Sequence, residues 1–315
     1  MRLKKSARIM RLTGFFNMAK KKIIKKEKSE ELFVSGHHAC AGCGPAIAMR
    51  QIMNAAGKDS IVTIGTGCME VISTLYPYSS WRVPCIHSAF ENTAATASGI
   101  SAALKKQGKN TNVVAIAGDG GTFDIGLQAL SGAIERGHKF LFVCYDNGAY
   151  MNTGVQRSSA TPLMAKTTTT PAGKKEEKKH MPFIIASHGK VYVATANIAY
   201  PVDLQNKLKK ALAFNGPSYV QIFSPCVPGW GYPSSDTVQL ARLAVETRAS
   251  LLYEIENGIV KLNHPVENPK PLKLWLERQS RFKHLTGEEM DKLHIYATDY
   301  YRHIKKLSDA GIKLF

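Results

Sequence analysis

Acidic residues are scarce in this chain: 24 Asp and Glu stand against 42 Lys and Arg, a net charge of +18 over 315 residues. Long apolar runs are missing. No stretch of 18 or more apolar residues occurs, which excludes a membrane-spanning helix. A secretory leader is missing as well, because the basic start carries only the short run 12–16, broken by Gly14. That lack predicts a cytoplasmic chain with reduced thiols, so the six cysteines are expected as metal ligands or core residues rather than disulfides. No internal repeat is found. What is present is ordinary: 44% apolar and 21% charged residues exclude a disordered or collagen-like chain and suffice for a large core.

The positive charge is unevenly spread. Residues 1–28 hold eleven Lys and Arg against one acid, Glu27, and a second basic group runs over 166–179. Residues 1–30 therefore read as a basic flexible leader. Met18-Ala19-Lys20 offers an alternative start, which would make 1–17 an upstream extension. No recognition helix or aromatic stacking motif accompanies the charge, so nucleic acid is not an expected partner.

From about residue 31 onward, strand-like and helix-like segments alternate. Segments 61–65, 113–117, 140–145, 191–194 and 218–223 predict strands, of which the continuous apolar run 113–117 and the run 140–145 predict strands buried on both faces of a parallel sheet. Segments 92–106, 124–136 and 201–214 predict helices, the last with Pro201 in its first turn. The order argues for an α/β fold with a doubly wound parallel sheet. The stretch 158–179 is read as too polar for core. Residues 236–256 read as a helix and a strand-like end. Prolines 265, 269 and 271 then introduce an amphipathic segment, so 257–315 is expected to be a C-terminal extension packing on a partner subunit.

Two constellations carry chemistry. In the first, the strand 113–117 runs into Gly118-Asp119-Gly120-Gly121, and the next strand ends in Asp146-Asn147-Gly148-Ala149-Tyr150-Met151-Asn152-Thr153. Glycines let backbone approach a phosphate, while Asp119 and the Asn147 amide offer oxygen to a hard cation. The bland alternative is two ordinary turns. In the second, Cys40 and Cys43 form a CxxC, and Cys68 and Cys226 stand on distant segments beside Gly or Pro. Four such thiolates suit a [4Fe-4S] cluster or a structural zinc, and a CxxC alone also suits a redox dithiol. Cys144, inside an apolar strand, and Cys85 are read as bystanders. His37 and His38, segment 87–92 and the Thr167–Thr170 run are read as supporting or interface residues.

The first constellation resembles the thiamine diphosphate motif, which implies Asp119, Asn147 and the Ala149 carbonyl on Mg2+. Together with Cys40-Ala41-Gly42-Cys43-Gly44-Pro45, Thr66-Gly67-Cys68-Met69-Glu70 and Pro225-Cys226-Val227-Pro228-Gly229-Trp230, it resembles the beta subunits of the 2-oxoacid:ferredoxin oxidoreductase family, in their pyruvate-using branch. The resemblance spans about residues 32–254. It implies a sheet of the thiamine diphosphate-binding type and a cluster on Cys40, Cys43, Cys68 and Cys226. Cys68, Gly118, Asp119, Gly120, Gly121, Asn147, Ala149 and Asn152 would contact the cofactor, with Asn152 near the reacting carbon as the catalytic candidate. The implied reaction is reversible oxidative decarboxylation of pyruvate with coenzyme A, electrons leaving through the cluster to ferredoxin. Other implied substrates are 2-oxoglutarate, a branched or aromatic 2-oxoacid, and oxalate. A zinc-stabilised nucleic-acid-binding module is the remote alternative. No glutamate here is assignable to the aminopyrimidine, and no CxxCxxCxxxC run is present. An alpha subunit would then supply that glutamate and the acyl pocket, and gamma and delta subunits the outer clusters. Two departures stand out: Gly148, where relatives often have Glu, and Pro45, where single-chain relatives tend to have an acid.

Overall fold

The chain is described here from a computed structural model over residues 30–315. The expected leader lies, apart from Glu30, outside the described residues. Residues 31–315 form one unit. The apolar runs become strands: β1 Ser60–Gly65, β2 Cys85–Ser88, β3 Asn112–Gly118, β4 Leu141–Asp146, β5 Tyr192–Asn197, β6 Ser218–Phe223, β7 Tyr253–Glu256 and β8 Ile259–Leu262. They make an eight-stranded sheet in the order β2-β1-β3-β4-β6-β5-β7-β8, parallel except for β7 and β8. The helices are α1 Gly44–Ala56, α2 Cys68–Ser73, α3 Thr93–Lys106, α4 Leu127–Glu135, α5 Met181–Ala186, α6 Pro201–Ala213, α7 Val227–Trp230, α8 Thr237–Glu246, α9 Lys273–Leu276 and α10 Gly287–Ala310.

Successive side chains of a strand point to opposite faces, so the apolar runs supply two cores. Val114, Ile116 and Val143 pack with α1 and α6 on one face. Val113, Ala115 and Cys144 pack with α3, α4, α5 and α10 on the other. This is the doubly wound sheet expected from the alternation. A third apolar group, around Trp230, Trp275 and Phe282, gathers α7, α8 and α9.

Several expectations change. The helix read over 124–136 splits into a wide π turn over Gly120–Asp124 and α4. Gly126 permits the close return: a Cβ there would lie 2.0 Å from the Gly121 carbonyl oxygen. The stretch 158–179 is not excluded from the interior, because Ser158, Thr161 and Lys174 are buried. Each has a partner: the Ser158 hydroxyl donates to the Asp119 carboxylate, the Thr161 hydroxyl to the Gly148 carbonyl at 2.7 Å, and Lys174 Nζ to the Thr161 carbonyl at 2.8 Å. The boundary at 256/257 falls inside the β7–β8 hairpin. Residues 257–315 pack on this chain itself: Val260, Tyr301 and Ile304 join the second core, and Trp275 and Phe282 the third. Pro45 has a simple place, in the first turn of α1, where its missing N–H is no loss.

Candidate cofactor site

Register gathers the sequence motifs. β1, β3, β4 and β6 are consecutive in the sheet and parallel, with Ile64 beside Ile116, Gly118 beside Tyr145, and Asp146 beside Phe223. The loops leaving their carboxyl ends carry Cys68, Asp119, Asn147 and Cys226 in that spatial order. Such an edge of an open parallel sheet is where ligands bind. The CxxC arrives from outside the sheet and is pinned there: the Gly44 N–H donates to the Pro225 carbonyl at 3.2 Å. Only glycine fits at 44, since a Cβ would lie 2.5 Å from that same oxygen.

Asp119 is 1% exposed. Its Oδ1 accepts the Asn147 N–H at 3.3 Å and its Oδ2 the Ser158 hydroxyl at 2.5 Å. Burial first, and then the charge of Asp146, push its pKa upward, while Ser158, Lys178 and the Asn147 N–H pull the other way. The Asn147 amide oxygen lies 2.9 Å from Asp119 Oδ1 and 3.0 Å from the Ala149 carbonyl oxygen; turned over, the amide would donate to both. Oxygen-inward, the amide repels both neighbours unless a cation lies between them; turned over, it satisfies both without one. Adjacent ligands on a Mg2+ octahedron, with bonds of about 2.0–2.1 Å, stand about 2.9 Å apart. With the oxygen inward, Asn147 keeps that spacing to both Asp119 and the Ala149 carbonyl, and all three offer the oxygen donors that Mg2+ takes.

A cavity of about 130 Å3 opens beside them, lined among others by Gly118, Asp119, Gly120, Gly121, Ala149 and Asn152, and also by Cys68. Asn152 stands exposed at the rim. Phe90 and Tyr150 wall it, their rings 6.0 Å apart, and the Tyr150 hydroxyl donates to Asp124 at 2.9 Å. A Cβ on Gly120 would lie 2.3 Å from the Tyr150 ring, so a side chain there would close the space.

The four candidate cysteines share one neighbourhood. Burial pushes the thiols of Cys43 and Cys68 up to about 12 and that of Cys226 up to about 11. Cys43 is raised further by Cys226 and Cys40, Cys68 by all three others, and Cys226 by Cys40. Backbone N–H groups of Ala46 and Gly229 oppose this at Cys43 and Cys226. Such donors favour thiolate, the form that binds metal. Among the described residues no three His, Cys, Asp or Glu side chains are grouped to hold a single metal ion. Cys144 is fully buried in β4, and Cys85 opens β2 beside the first core.

Ser158 and Thr161 at this edge escaped the sequence reading, and Trp230 and Gly148 were named there without a contact. Ser158 holds Asp119, and the Thr161 hydroxyl donates to the Gly148 carbonyl at 2.7 Å, between two of the oxygen donors. The Trp230 indole N–H donates to the Asn147 carbonyl at 2.7 Å, while its backbone N–H bonds the Cys226 carbonyl at 3.0 Å. Gly148 has φ +76, a conformation costly for other residues, and a Cβ would lie 3.2 Å from Arg281 Nη1. The one sequence signal was the Ser/Thr-rich turn at 158–161, whose polarity pointed outward. His37 stacks on Phe33 at 5.1 Å, His87 lies 3.1 Å from Glu70, and the Thr167–Thr170 run closes on itself, with hydroxyls 2.7 Å apart.

A sheet edge with a glycine turn, a cation-ready oxygen set and an adjoining cavity defines a thiamine diphosphate enzyme. Accordingly, the family model for the thiamine pyrophosphate enzyme C-terminal TPP-binding domain matches residues 65–222. Pyruvate synthase subunit PorB of Methanocaldococcus jannaschii is 54% identical over 287 residues, 87% of this chain and 96% of that protein. Ketoisovalerate oxidoreductase subunit VorB of Pyrococcus abyssi is 46% identical over 89% of this chain and 94% of that protein. Among solved structures, the 2-oxoglutarate:ferredoxin oxidoreductase of Magnetococcus marinus superposes with TM-score 0.56 at 25% identity, over 68% of this chain and 72% of that one. The chain belongs to the 2-oxoacid:ferredoxin oxidoreductase family, and its PorB and VorB relatives are subunits of such enzymes. No described helix is long and apolar enough to cross a membrane.

Proposed function

We propose that this chain is the cofactor-binding beta subunit of a cytoplasmic pyruvate:ferredoxin oxidoreductase, which converts pyruvate and coenzyme A to acetyl-CoA and CO2, reversibly. The observation that carries the reading is Cys68: it lines the same cavity as Asp119 and stands among the candidate cluster thiols. Electron donor and acceptor sites would therefore share a wall. Thiamine diphosphate would supply nucleophilic chemistry at the 2-oxo carbon, and a [4Fe-4S] cluster one-electron acceptance toward ferredoxin.

The chain's own residues hold and orient. Asp119, Asn147 and the Ala149 carbonyl would bind Mg2+ and through it the diphosphate. Gly120 and Gly121 keep the turn open to phosphate, and Asn152 at the rim would face the reacting carbon. Cys40, Cys43, Cys68 and Cys226 would ligate the cluster, and Phe90 and Tyr150 exclude water from one side. An alpha subunit would supply the glutamate for the aminopyrimidine and the acyl pocket, and gamma and delta subunits the further clusters. The relatives named for ketoisovalerate and 2-oxoglutarate support a second reading, the same chemistry on another 2-oxoacid.

Anaerobic purification of the native complex, with iron, sulfide, magnesium and thiamine diphosphate quantified, tests the cofactors. Turnover of a 2-oxoacid panel with methyl viologen tests the substrate. Pyruvate is expected to give the highest kcat/KM; a branched 2-oxoacid leading the panel selects the second reading. Zinc without iron or thiamine diphosphate overturns both. Asp119→Ala is expected to abolish thiamine diphosphate retention while iron stays at the wild-type level. Unchanged retention would refute the cation site.

A further inference from the structure

Arg281 sits in the 3-10 turn Ser280–Phe282, between α9 and α10, and is 6% exposed. Its guanidinium lies 3.7 Å over the Trp230 ring and 5.0 Å from the Phe282 ring. Nε donates to Gln279 Oε1 at 2.9 Å, and Gln279 is in turn fixed by its bond to the Trp275 carbonyl at 2.7 Å. Nη2 is buried with no hydrogen-bond partner. The acid that acts most strongly on it, Asp146, is already bound by Lys178 and by Gln221 at 2.7 Å.

Burying an unpaired cation is strongly unfavourable, and a cation–π contact offsets only part of it. The turn is nonetheless built to hold Arg281 here. The Ser280 N–H and hydroxyl both donate to the Gly231 carbonyl, at 3.1 and 2.9 Å, docking the turn on α7, which begins next to Cys226. A Cβ on Gly231 would lie 2.6 Å from Ser280. The guanidinium thus rests on Trp230, whose two N–H groups tie it to Cys226 and Asn147. Its charge also favours thiolate at Cys226.

We infer that Arg281 is the buried counter-cation of the thiolate-ligated cluster at Cys226 and sets that cluster's reduction potential. The inference rests on the cluster assignment above. A thiolate-held cluster is net anionic and gains a further negative charge when it accepts an electron. A fixed neighbouring cation stabilises the reduced form more than the oxidised one and so raises the potential. Arg281 is a positioning residue in this role: it acts through charge and touches no substrate.

The test uses the anaerobically purified complex carrying Arg281→Met or Arg281→Lys, with EPR-monitored redox titration of the iron–sulfur signals. Signals from clusters on other subunits serve as an internal reference. Arg281→Met is expected to keep its iron and to shift one signal at least tenfold toward the oxidised form, 59 mV more negative for one electron. Arg281→Lys is expected to recover at least half of that shift. An unmoved potential in an iron-replete Arg281→Met complex overturns the inference and leaves Arg281 a packing residue. If Arg281→Met fails to retain iron, Arg281→Lys decides: iron and potential near wild type support the role, and loss of iron in both overturns it. Absence of iron from the wild-type complex would instead refute the cluster assignment itself.

Discussion

Ser158 shows how much one hydroxyl governs. It holds the Asp119 oxygen that the Asn147 N–H does not reach, and the Ala160 N–H donates to it in turn at 3.1 Å. Partners of metal ligands fix ligand geometry, and their loss lowers affinity about 10–100-fold. Ser158→Ala should therefore weaken Mg2+-dependent thiamine diphosphate binding by that factor, read by calorimetric titration, with Ser158→Thr recovering most of it. Equal affinity in the alanine variant would show that Asp119 needs no such hold. Asp119 and Asn147 were legible because each follows the end of a buried apolar run, where a polar residue points to a ligand. Ser158 was not. It lies in a stretch of low hydrophobicity, and its burial depends on a partner 39 residues earlier in the chain.

The strands reproduced the apolar runs closely, because a strand buried on both faces leaves no choice of residue. The short elements were hidden. β2 is a four-residue edge strand with mixed polarity, and α7 and α9 have four residues each; the longer α1 was also given no reading. The junction of β5, β7 and α6 has its own electrostatic device. Glu254 accepts from the Tyr192 hydroxyl at 2.6 Å, Lys210 at 3.0 Å and Asn263 at 2.6 Å. Burial alone would raise its pKa, but these three donors hold it below the usual carboxylate range. A carboxyl with a lowered folded pKa stabilises the fold above its unfolded value of about 4.3, and that stability is lost as pH falls through the folded value. Glu254→Gln should then cost about 1–3 kcal/mol at pH 7. Urea midpoints of the two proteins should converge as the pH drops below 4. A gap of constant size at all pH values would mean that the charge is irrelevant.

For the molecule as a whole, topology was readable and the end of the domain was not. Three prolines within 265–271 look like the start of a tether, but hydrophobic closure comes afterwards, from Trp275, Phe282, Tyr301 and Ile304. A chain cut after Glu256 should yield no cooperatively folded protein by near-ultraviolet circular dichroism. A folded product would make 257–315 an appendage after all. The same closure assembles an aromatic wall. Trp230 and Trp275 lie beside the Cys226 loop with ring centres 6.2 Å apart, and Trp81 bonds Ser73 of α2, the helix that Cys68 opens. These are the only three indoles in the chain. Iron–sulfur chromophores absorb across the tryptophan emission band. If the proposed cluster fills these thiols, maturation of this subunit would carry a built-in optical gauge, bright while they stand empty and dimmed as they fill, legible without any attached dye.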